Sequence, residues 1–593
     1  MLISAPLFVV TGRILDEYFI HLPEKMQFRV PFIEQMKSYQ KGYLINDLIG
    51  GLTVGVMLIP QGMAYAFLAG VPAVYGLYAS LVPLVFYMLL GSSRYVTIGP
   101  AALISLLIIS GLDKAGITEP DEYLNAVFII AFLAGIFQLL LGLFKLGNII
   151  NFISQPVLKG FIIGAAFTII LSQLKHILGI HVEGRASIPV LQKLWANITN
   201  VEYHTLILGL GGISFLLFMK RLSKRIPSQL ILVAVTLSLT YFFGLDKEGV
   251  QILGEVPNGI PGFNVPDMNW ELIQTLIPIS ITVGLISFIE VYAIGISLED
   301  RKEAKGVNPN QELIAIGSGK LIGSFFYAFP TSGSFSRSAV NKEAGSKTNL
   351  GGLFTVSLIV LTLLFLTPYF YYLPKAALGS IIIVAIFGLI DIKYVRQLSK
   401  IDTRDLIMLI ITVLITFIIG VQEGIITGVV LSIASLTYNT SYPHIAELGL
   451  VKGTNTLRNV NRFEDVEVDE NILIIRIDAP LTFSNVHQFV AKLNQFEKHK
   501  SDLSFVLLNA SAIDYVDSTA LNTLQEVAQN YKDRGVRFAI SSLKGPVRDK
   551  FKRSNMFSEL GKENFFVTDH EALKAYKDGE DKKDEKLIFQ SNK

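Results

Sequence analysis

The sequence predicts a polytopic α-helical membrane protein followed by a small soluble α/β domain. Three observations carry that prediction. Hydrophobic residues fill 51% of the 593 positions and charged residues only 17%, with a mean hydropathy of +0.49, whereas soluble chains carry about a quarter charged residues. Apolar runs near the ~20 residues that a spanning helix needs follow one another from about Asn46 to Thr440. After Ser441 that pattern ends, and short apolar strands alternate with a helical stretch.

In chain order, Met1–Val10 is apolar but has no basic leader or small-residue cleavage site, so no signal peptide is read, and 1–46 is expected to be a cytoplasmic N-terminal region. Spanning segments are expected around Leu48–Leu68, Val71–Leu90, Val96–Gly111, Leu124–Phe144, Phe152–Leu171, Leu206–Met219 and Leu230–Phe243. A second series follows around Leu276–Ile296, Leu353–Leu366, Leu378–Leu389, Leu406–Ile419 and Ile425–Leu436. Two weaker, glycine-interrupted segments between Leu313 and Val340 bring the total to fourteen. With the N-terminus inside, the loops holding Arg94, Lys145, Lys220–Arg225, Arg301-Lys302, Lys342 and Lys393–Arg404 all become cytoplasmic. The opposite loops, such as Asp113–Glu122 and Asp246–Asn269, are short of Lys and Arg. That distribution obeys the positive-inside rule and puts both termini in the cytoplasm.

Residues 47–440 are therefore read as the transmembrane domain and 441–465 as a linker. In 466–576, Asn471–Asp478, Ser504–Asn509 and Arg537–Ile540 read as buried strands and Thr519–Tyr531 as a helix, while 577–593 reads as a charged, disordered tail. The net charge of +2 gives no reason to expect nucleic acid. Zero cysteines exclude disulfides, thiol catalysis and cysteine-held zinc or iron–sulfur centres.

The two halves of the membrane region echo each other. Gln61 lies in a segment expected to break at Pro60, and Thr97-Ile98-Gly99-Pro100 then leads into Ala101 and Ala102. Glu290 lies in a later segment, and Thr331-Ser332-Gly333 leads into Ser334. Gly/Pro-interrupted segments in corresponding places point to repeats whose half-helices meet near the membrane midplane. The run Pro330–Ser338 is polar, and backbone of that kind is tolerated at depth only where protein or a water-filled cavity surrounds it. A half-helix starting at Ser334 offers unpaired N–H groups and the positive end of its dipole, and Ala101 and Ala102 begin a facing one whose small side chains expose the amides. Ser334 and Ser336 add hydroxyl donors and Arg337 adds a fixed positive charge, which together suit an anion. Charge at this depth is rare and usually functional, which favours a binding site over a structural arginine. Glu290, an acid inside an apolar helix, is expected to pair with Arg337 and to exchange protons during transport. Gln61 and Tyr65, four residues apart, can share a cavity-facing side, although polar contacts between helices would explain either residue alone.

At these residues a family resemblance emerges. Pro60–Ala66, Thr97-Ile98-Gly99-Pro100, Phe288-Ile289-Glu290 with Asn310–Ala315, and Gly333–Asn341 resemble the sulfate-permease (SulP) anion transporters, and the likeness runs across nearly the whole chain. The resemblance implies fourteen segments in a 7+7 inverted repeat with UraA-like core and gate subdomains, a cytoplasmic α/β STAS domain, a homodimer and an elevator-like movement. It implies that the anion sits between the third and tenth segments, lined by Gln61, Tyr65, Ala101, Ala102, Ser334, Phe335 and Ser336, with Arg337 behind and Glu290 at the proton-linked position. One departure is Asn308, where an acid is usual. Sodium-coupled bicarbonate members resemble one another in carrying an Asp with hydroxyl neighbours at the Glu290 position; here Ile294 stands one turn on, which argues against sodium. In the soluble domain Asp514–Leu521 looks like the STAS loop with a phosphorylatable serine, here Ser518, although Asp517 or Ser518 as a plain helix cap is the favoured reading.

The expected activity is secondary transport of an inorganic anion, sulfate with a proton ahead of the rest. A bicarbonate or dicarboxylate carrier, an exchanger or an uncoupled channel are the alternatives. No cofactor is expected; membrane lipid, a second copy and a protein partner of the STAS domain are. An ATP-driven pump is rejected because Gly317-Ser318-Gly319-Lys320 is only half a phosphate loop, with Ile314 and Leu321 where glycine and Ser/Thr belong. An enzyme is rejected because the eight histidines form no metal motif and no nucleophile has a base. The lack of an organellar leader makes a bacterial inner membrane the default location.

Overall fold

The computed structural model describes residues 30–180, 187–222, 227–299 and 306–579. Lys224, Arg225, Arg301 and Lys302 of the orientation argument, most of the N-terminal region and the tail from 580 lie outside the described residues. The chain divides into two units, residues 1–431 and 432–593.

The first unit is built from two matching series of helices. The first runs α1 (Tyr43–Leu68), α2 (Val74–Tyr78) and α3 (Val82–Leu90), then the two-residue strand β1 (Ile98–Gly99) and α4 (Ala102–Lys114), followed by α5 (Pro120–Leu143), α6 (Gln155–Leu178), α7 (Ser187–Ala196), α8 (Tyr203–Leu222) and α9 (Ser228–Phe243). The second runs α10 (Trp270–Leu298), α11 (Pro309–Gly323), strand β2 (Ser332–Gly333), α12 (Phe335–Glu343), α13 (Gly351–Leu361), α14 (Lys375–Phe387), α15 (Ile392–Ile401), α16 (Thr403–Ile418) and α17 (Val421–Ser441), which crosses the unit boundary. Each series holds seven membrane segments, the α2–α3 pair counting as one, and each inserts one short helix, α7 or α15, between its fifth and sixth. Among the described residues eight helices are long and apolar enough to cross a membrane unaided. The half-helices α4 and α12, with 13 and 9 residues, are not.

Helix packing concentrates in two groups, which meet where α14 and α9 pack on α1. In one, α5 packs on α10 and α11, α11 on α3, and α13 on α1; in the other, α6 packs on α14 and α16, and α8 on α14. The α5–α11 crossing is close because a glycine stands on each side. A methyl at Gly135 would lie 2.6 Å from the Leu321 nitrogen, and one at Gly317 would lie 3.0 Å from the Gly135 carbonyl oxygen. The expected break at Pro60 does not occur, since Pro60 lies inside a continuous α1. It denies the carbonyl four residues back its helical donor, but Leu58 to Ala66 are all buried, and packing on every side holds the helix together.

The second unit is one mixed sheet with helices on both faces. It contains β3 (Ile445–Val451), β4 (Leu457–Asn459), β5 (Val466–Glu467), β6 (Ile472–Ile477), α18 (Val486–Glu497), β7 (Phe505–Asn509), α19 (Ser518–Asp533), β8 (Arg537–Ser541), α20 (Gly545–Arg553), α21 (Met556–Leu560), β9 (Phe565–Phe566) and α22 (Asp569–Asp578). Strand order is β4-β3-β6-β7-β8-β9, with β5 also on β3; β6 to β9 are parallel, and β3 runs antiparallel to β6. One face buries Leu473, Ile475, Val506, Leu508 and Phe538 under α18, α19 and α20, and the other buries Phe505 and Leu507 under α22. Residues 441–465, expected to be a linker, supply β3 and β4. The alternating Ile445–Val451 segment buries Ala446 and Leu448 and aligns Leu448 with Ile474 of β6. Lys577 and Asp578, assigned to the tail, belong to α22.

Candidate functional site

The site grows from the two broken segments. β1 and β2 join antiparallel, Ile98 opposite Gly333 and Gly99 opposite Ser332; Gly99 leaves room for Leu58 and the Arg337 Nη2, and Gly333 for Val291 and Ile294 of α10. Each strand turns at once into a half-helix. Ala101 before α4 and Ser334 before α12 are both extended, and neither caps its helix with a side chain. Both helices therefore start beside the same ladder with first-turn N–H groups that no side chain has claimed, the arrangement that binds anions. Thr97 locks the junction further: its N–H donates to Ser338 Oγ at 3.0 Å and its carbonyl accepts from the Ser334 N–H at 3.3 Å.

Arg337, in the first turn of α12, is fully buried. Its Nη1 donates to Gln61 Oε1 at 3.0 Å and its Nη2 to the Pro100 carbonyl at 3.1 Å. Its Nε is buried with no partner among the described residues. Neutral groups therefore hold the guanidinium without cancelling its charge. Tyr65 is buried one turn beyond Gln61 on α1, and Ala101 and Ala102 are buried at the mouth of α4. Ser334 is half-buried, while Ser336 and Phe335 are exposed, Phe335 by 53%. The structure thus brings Gln61, Pro100 and Arg337 into contact and sets Ala101, Ala102 and Ser334 at the two helix starts; Phe335 and Ser336 stay open on α12.

Glu290 does not pair with Arg337. Its Oε2 accepts from Ser332 Oγ at 2.6 Å, and no ion pair joins it to Arg337 among the described residues. Ser332, on β2 against α10, lies within hydrogen-bond reach of the carboxylate, while the guanidinium is turned to Gln61 and the Pro100 carbonyl. Glu290 remains within the electrostatic reach of Arg337, and also of Lys320.

Lys320 is the residue that sequence reasoning missed. It is fully buried inside α11, and its Nζ donates to Gln138 Oε1 on α5 and to Ser287 Oγ on α10, each at 3.0 Å. The available signal is a lysine set between Ile314-Ala315-Ile316 and Leu321-Ile322, which the half-matched phosphate-loop pattern Gly317–Lys320 overlays. Elsewhere in this unit, buried Glu312 accepts from Tyr87 Oη at 2.8 Å, Ser92 N at 2.8 Å, Ser92 Oγ at 2.6 Å and Ser93 N at 3.3 Å. Asn308 caps α11 by accepting from Asn310 N and Gln311 N, a role an acid would also fill. Among the described residues no group of three His, Asp or Glu side chains could hold a metal. In the second unit Asp517 caps α19 through Ala520 N at 2.8 Å and also accepts from Phe483 N at 2.7 Å; Ser518 is exposed as the first residue of that helix.

Comparison with known proteins supplies the remaining findings. The model of the sulfate permease family matches residues 44–412, and that of the STAS domain matches residues 465–572. A chloroplastic protein of Arabidopsis thaliana, sulfate transporter 4.1, is 35% identical over 92% of this chain and 82% of its own. A probable sulfate transporter of Mycobacterium tuberculosis is 30% identical over 92% of this chain and 98% of its own. The solved inward-facing structure of murine Solute Carrier 26 family member A9, an anion transporter, superposes with a TM-score of 0.84 at 25% identity, covering 96% of this chain and 98% of that one. The transmembrane domain of a cyanobacterial bicarbonate transporter matches in fold alone, with a TM-score of 0.57 at 22% identity over 67% of this chain and 98% of its own.

Proposed function

The chain belongs to the sulfate permease family, and on that premise we propose that it carries sulfate across the membrane together with a proton. Anion transport is the activity this family membership supports; the anion and the coupling ion are our reading. The observation that carries it is the buried Arg337, held by Gln61 and the Pro100 carbonyl beside the starts of α4 and α12, with Nε left without a partner among the described residues. A fixed charge that no acid neutralises, next to two sets of free helix N–H groups, suits a tetrahedral oxyanion. Glu290, bonded to Ser332 on the ladder itself, is the proton carrier in this reading. Its protonation removes one negative charge from the neighbourhood as the anion enters.

The cradle moves between the two membrane faces as one body, an elevator motion supported by the split of the helices into two packing groups. In this reading the protein is a homodimer in the cell membrane, and the Lys and Arg distribution supports placing both termini in the cytoplasm. Exposed Ser518 is the candidate phosphosite, at a helix start where a phosphate would be tolerated. The test is labelled sulfate uptake into liposomes holding the purified chain, with and without an inward proton gradient, beside Glu290→Gln. Gradient-stimulated uptake that becomes insensitive to pH in Glu290→Gln is expected. Wild-type uptake indifferent to the gradient would remove the proton, and steady, non-saturating anion currents would make the protein a channel.

A further inference from the structure

Lys320 has no role in the reading above, yet a buried ammonium at membrane depth is costly to keep. Its surroundings are polar but neutral. Gln138 Nε2 donates to the Gly284 carbonyl at 2.6 Å and to Ser287 Oγ at 2.9 Å, and Ser287 Oγ in turn donates to the Gly284 carbonyl at 3.2 Å. The amide oxygen of Gln138 therefore faces Lys320, and both groups within reach of Nζ act as acceptors. The Gln138 amide oxygen can only accept, so Nζ donates to it, as an ammonium does. No carboxylate contacts it among the described residues.

The lysine is nonetheless tied to the site. Ser287 stands one turn before Glu290 on α10, and Ser332 Oγ reaches both the Ser287 carbonyl at 3.4 Å and Glu290 Oε2 at 2.6 Å. The ionisable groups that act on one another here are Lys320 on α11, Glu290 on α10, Arg337 on α12 and Tyr65 on α1.

We propose that Lys320 selects the charge of the transported anion, its buried ammonium making the loaded site neutral for a dianion accompanied by one proton. The inference rests on the transport reading above and deepens it. With Lys320 and Arg337 each positive, Tyr65 neutral and Glu290 protonated, the empty site carries two positive charges, and a dianion cancels both. A monoanion then leaves one positive charge uncompensated, unless Glu290 gives up its proton. Removing the lysine's charge reverses the preference: the protonated site then matches a monoanion, and a dianion leaves an excess negative charge in a low-dielectric place.

The experiment uses the full chain in liposomes, with labelled sulfate uptake competed by unlabelled sulfate or nitrate, in wild type, Lys320→Gln and Lys320→Arg. Expected is a fall of about tenfold in the preference for sulfate over nitrate in Lys320→Gln, with Lys320→Arg close to wild type. A merely structural lysine would lower uptake of both anions and leave their ratio unmoved, and an unchanged ratio in Lys320→Gln overturns the proposal. If Lys320→Gln does not transport, the same ratio is read from the anion-dependent rise in Tm of the detergent-solubilised chain, with the same two outcomes. Wild type that carries nitrate but discriminates against sulfate overturns the charge argument alone. Wild type that carries neither anion overturns the transport reading as well.

Discussion

The two units of this chain treat charge in opposite ways. In the second unit ions meet ions: Arg476 binds Asp478, which also contacts His444 at 2.9 Å, Arg534 pairs with Glu497, which also accepts from Tyr531 at 3.0 Å, and buried Lys500 meets Glu447 at 3.0 Å. In the interior of the first unit four ions meet dipoles, although buried Glu299 keeps Arg94 at 4.0 Å. Arg337 is held by an amide and a carbonyl, Lys320 by an amide and a hydroxyl, Glu290 by a hydroxyl, and Glu312 by hydroxyls and backbone N–H groups. The difference is instructive. A charge paired with its opposite is neutralised and serves stability, whereas a charge solvated by neutral groups keeps its field and can act on something that arrives.

That contrast can be broken at four points. Arg337→Gln should have the largest effect, lowering labelled anion uptake by about a thousandfold, because the field at the cradle disappears. Uptake near wild type would mean that the helix termini suffice and that the solvated arginine is only structural. Glu312→Gln comes next. It sets an amide NH2 against donors that expect a carboxylate, and should destabilise the first unit by about 2 kcal/mol in a detergent unfolding assay. Ser332→Ala removes the one hydrogen bond described for Glu290 and should change gradient-driven uptake by about tenfold, seen as a displaced pH profile. The smallest effect belongs to the second unit, where Arg534→Ala should cost about 0.5 kcal/mol or less, because the Arg534 side chain is 47% exposed and the pair is screened.

The Glu497 pair also has a pH signature. Burial pushes the Glu497 carboxyl up, but hydrogen bonds from Arg534 and Tyr531, with the arginine's charge, outweigh it and hold the carboxyl below its usual 4.5. Its folded value therefore lies below its unfolded one. The stabilisation is complete above the unfolded value and fades as pH falls through the folded one, so the difference between wild type and Arg534→Ala should shrink in acid urea titrations. A difference independent of pH would show that the arginine contributes packing rather than charge.

Much of this arrangement is legible in the residues. Long apolar runs mark the spanning helices because hydrocarbon leaves the backbone no other partner, and the Gly- and Pro-bearing breaks at Thr97–Pro100 and Thr331–Gly333 mark the half-helices for the same reason. Arg337 and Glu290 stand out as charges in apolar surroundings. Their partners do not, since a sequence shows which ions lie at depth but not which hydroxyl or carbonyl folds against them; pairing acid with base is the natural guess, and at Glu290 it fails. Lys320 was hidden by a stronger pattern laid over it, and Gln138 by its place in a long apolar run. The strand Ile445–Val451 is obscured by Glu447, whose charge Lys500 meets at 3.0 Å, and by Gly449. Pro60 misled because tertiary burial can carry a helix through a missing hydrogen bond.

The ladder between β1 and β2 has a consequence for how the protein is made. Its two strands come from opposite halves of the chain, so when the ribosome has delivered Ile98 and Gly99, their partners do not yet exist. The first half must wait in the membrane with its cradle half-built until Ser332 and Gly333 have emerged and been inserted. Closing so long a stretch of chain is a late and entropically demanding event. Ribosome-stalled chains ending before α12 should therefore contain inserted helices and no site, and assembly of the cradle should be among the last steps of folding rather than its seed.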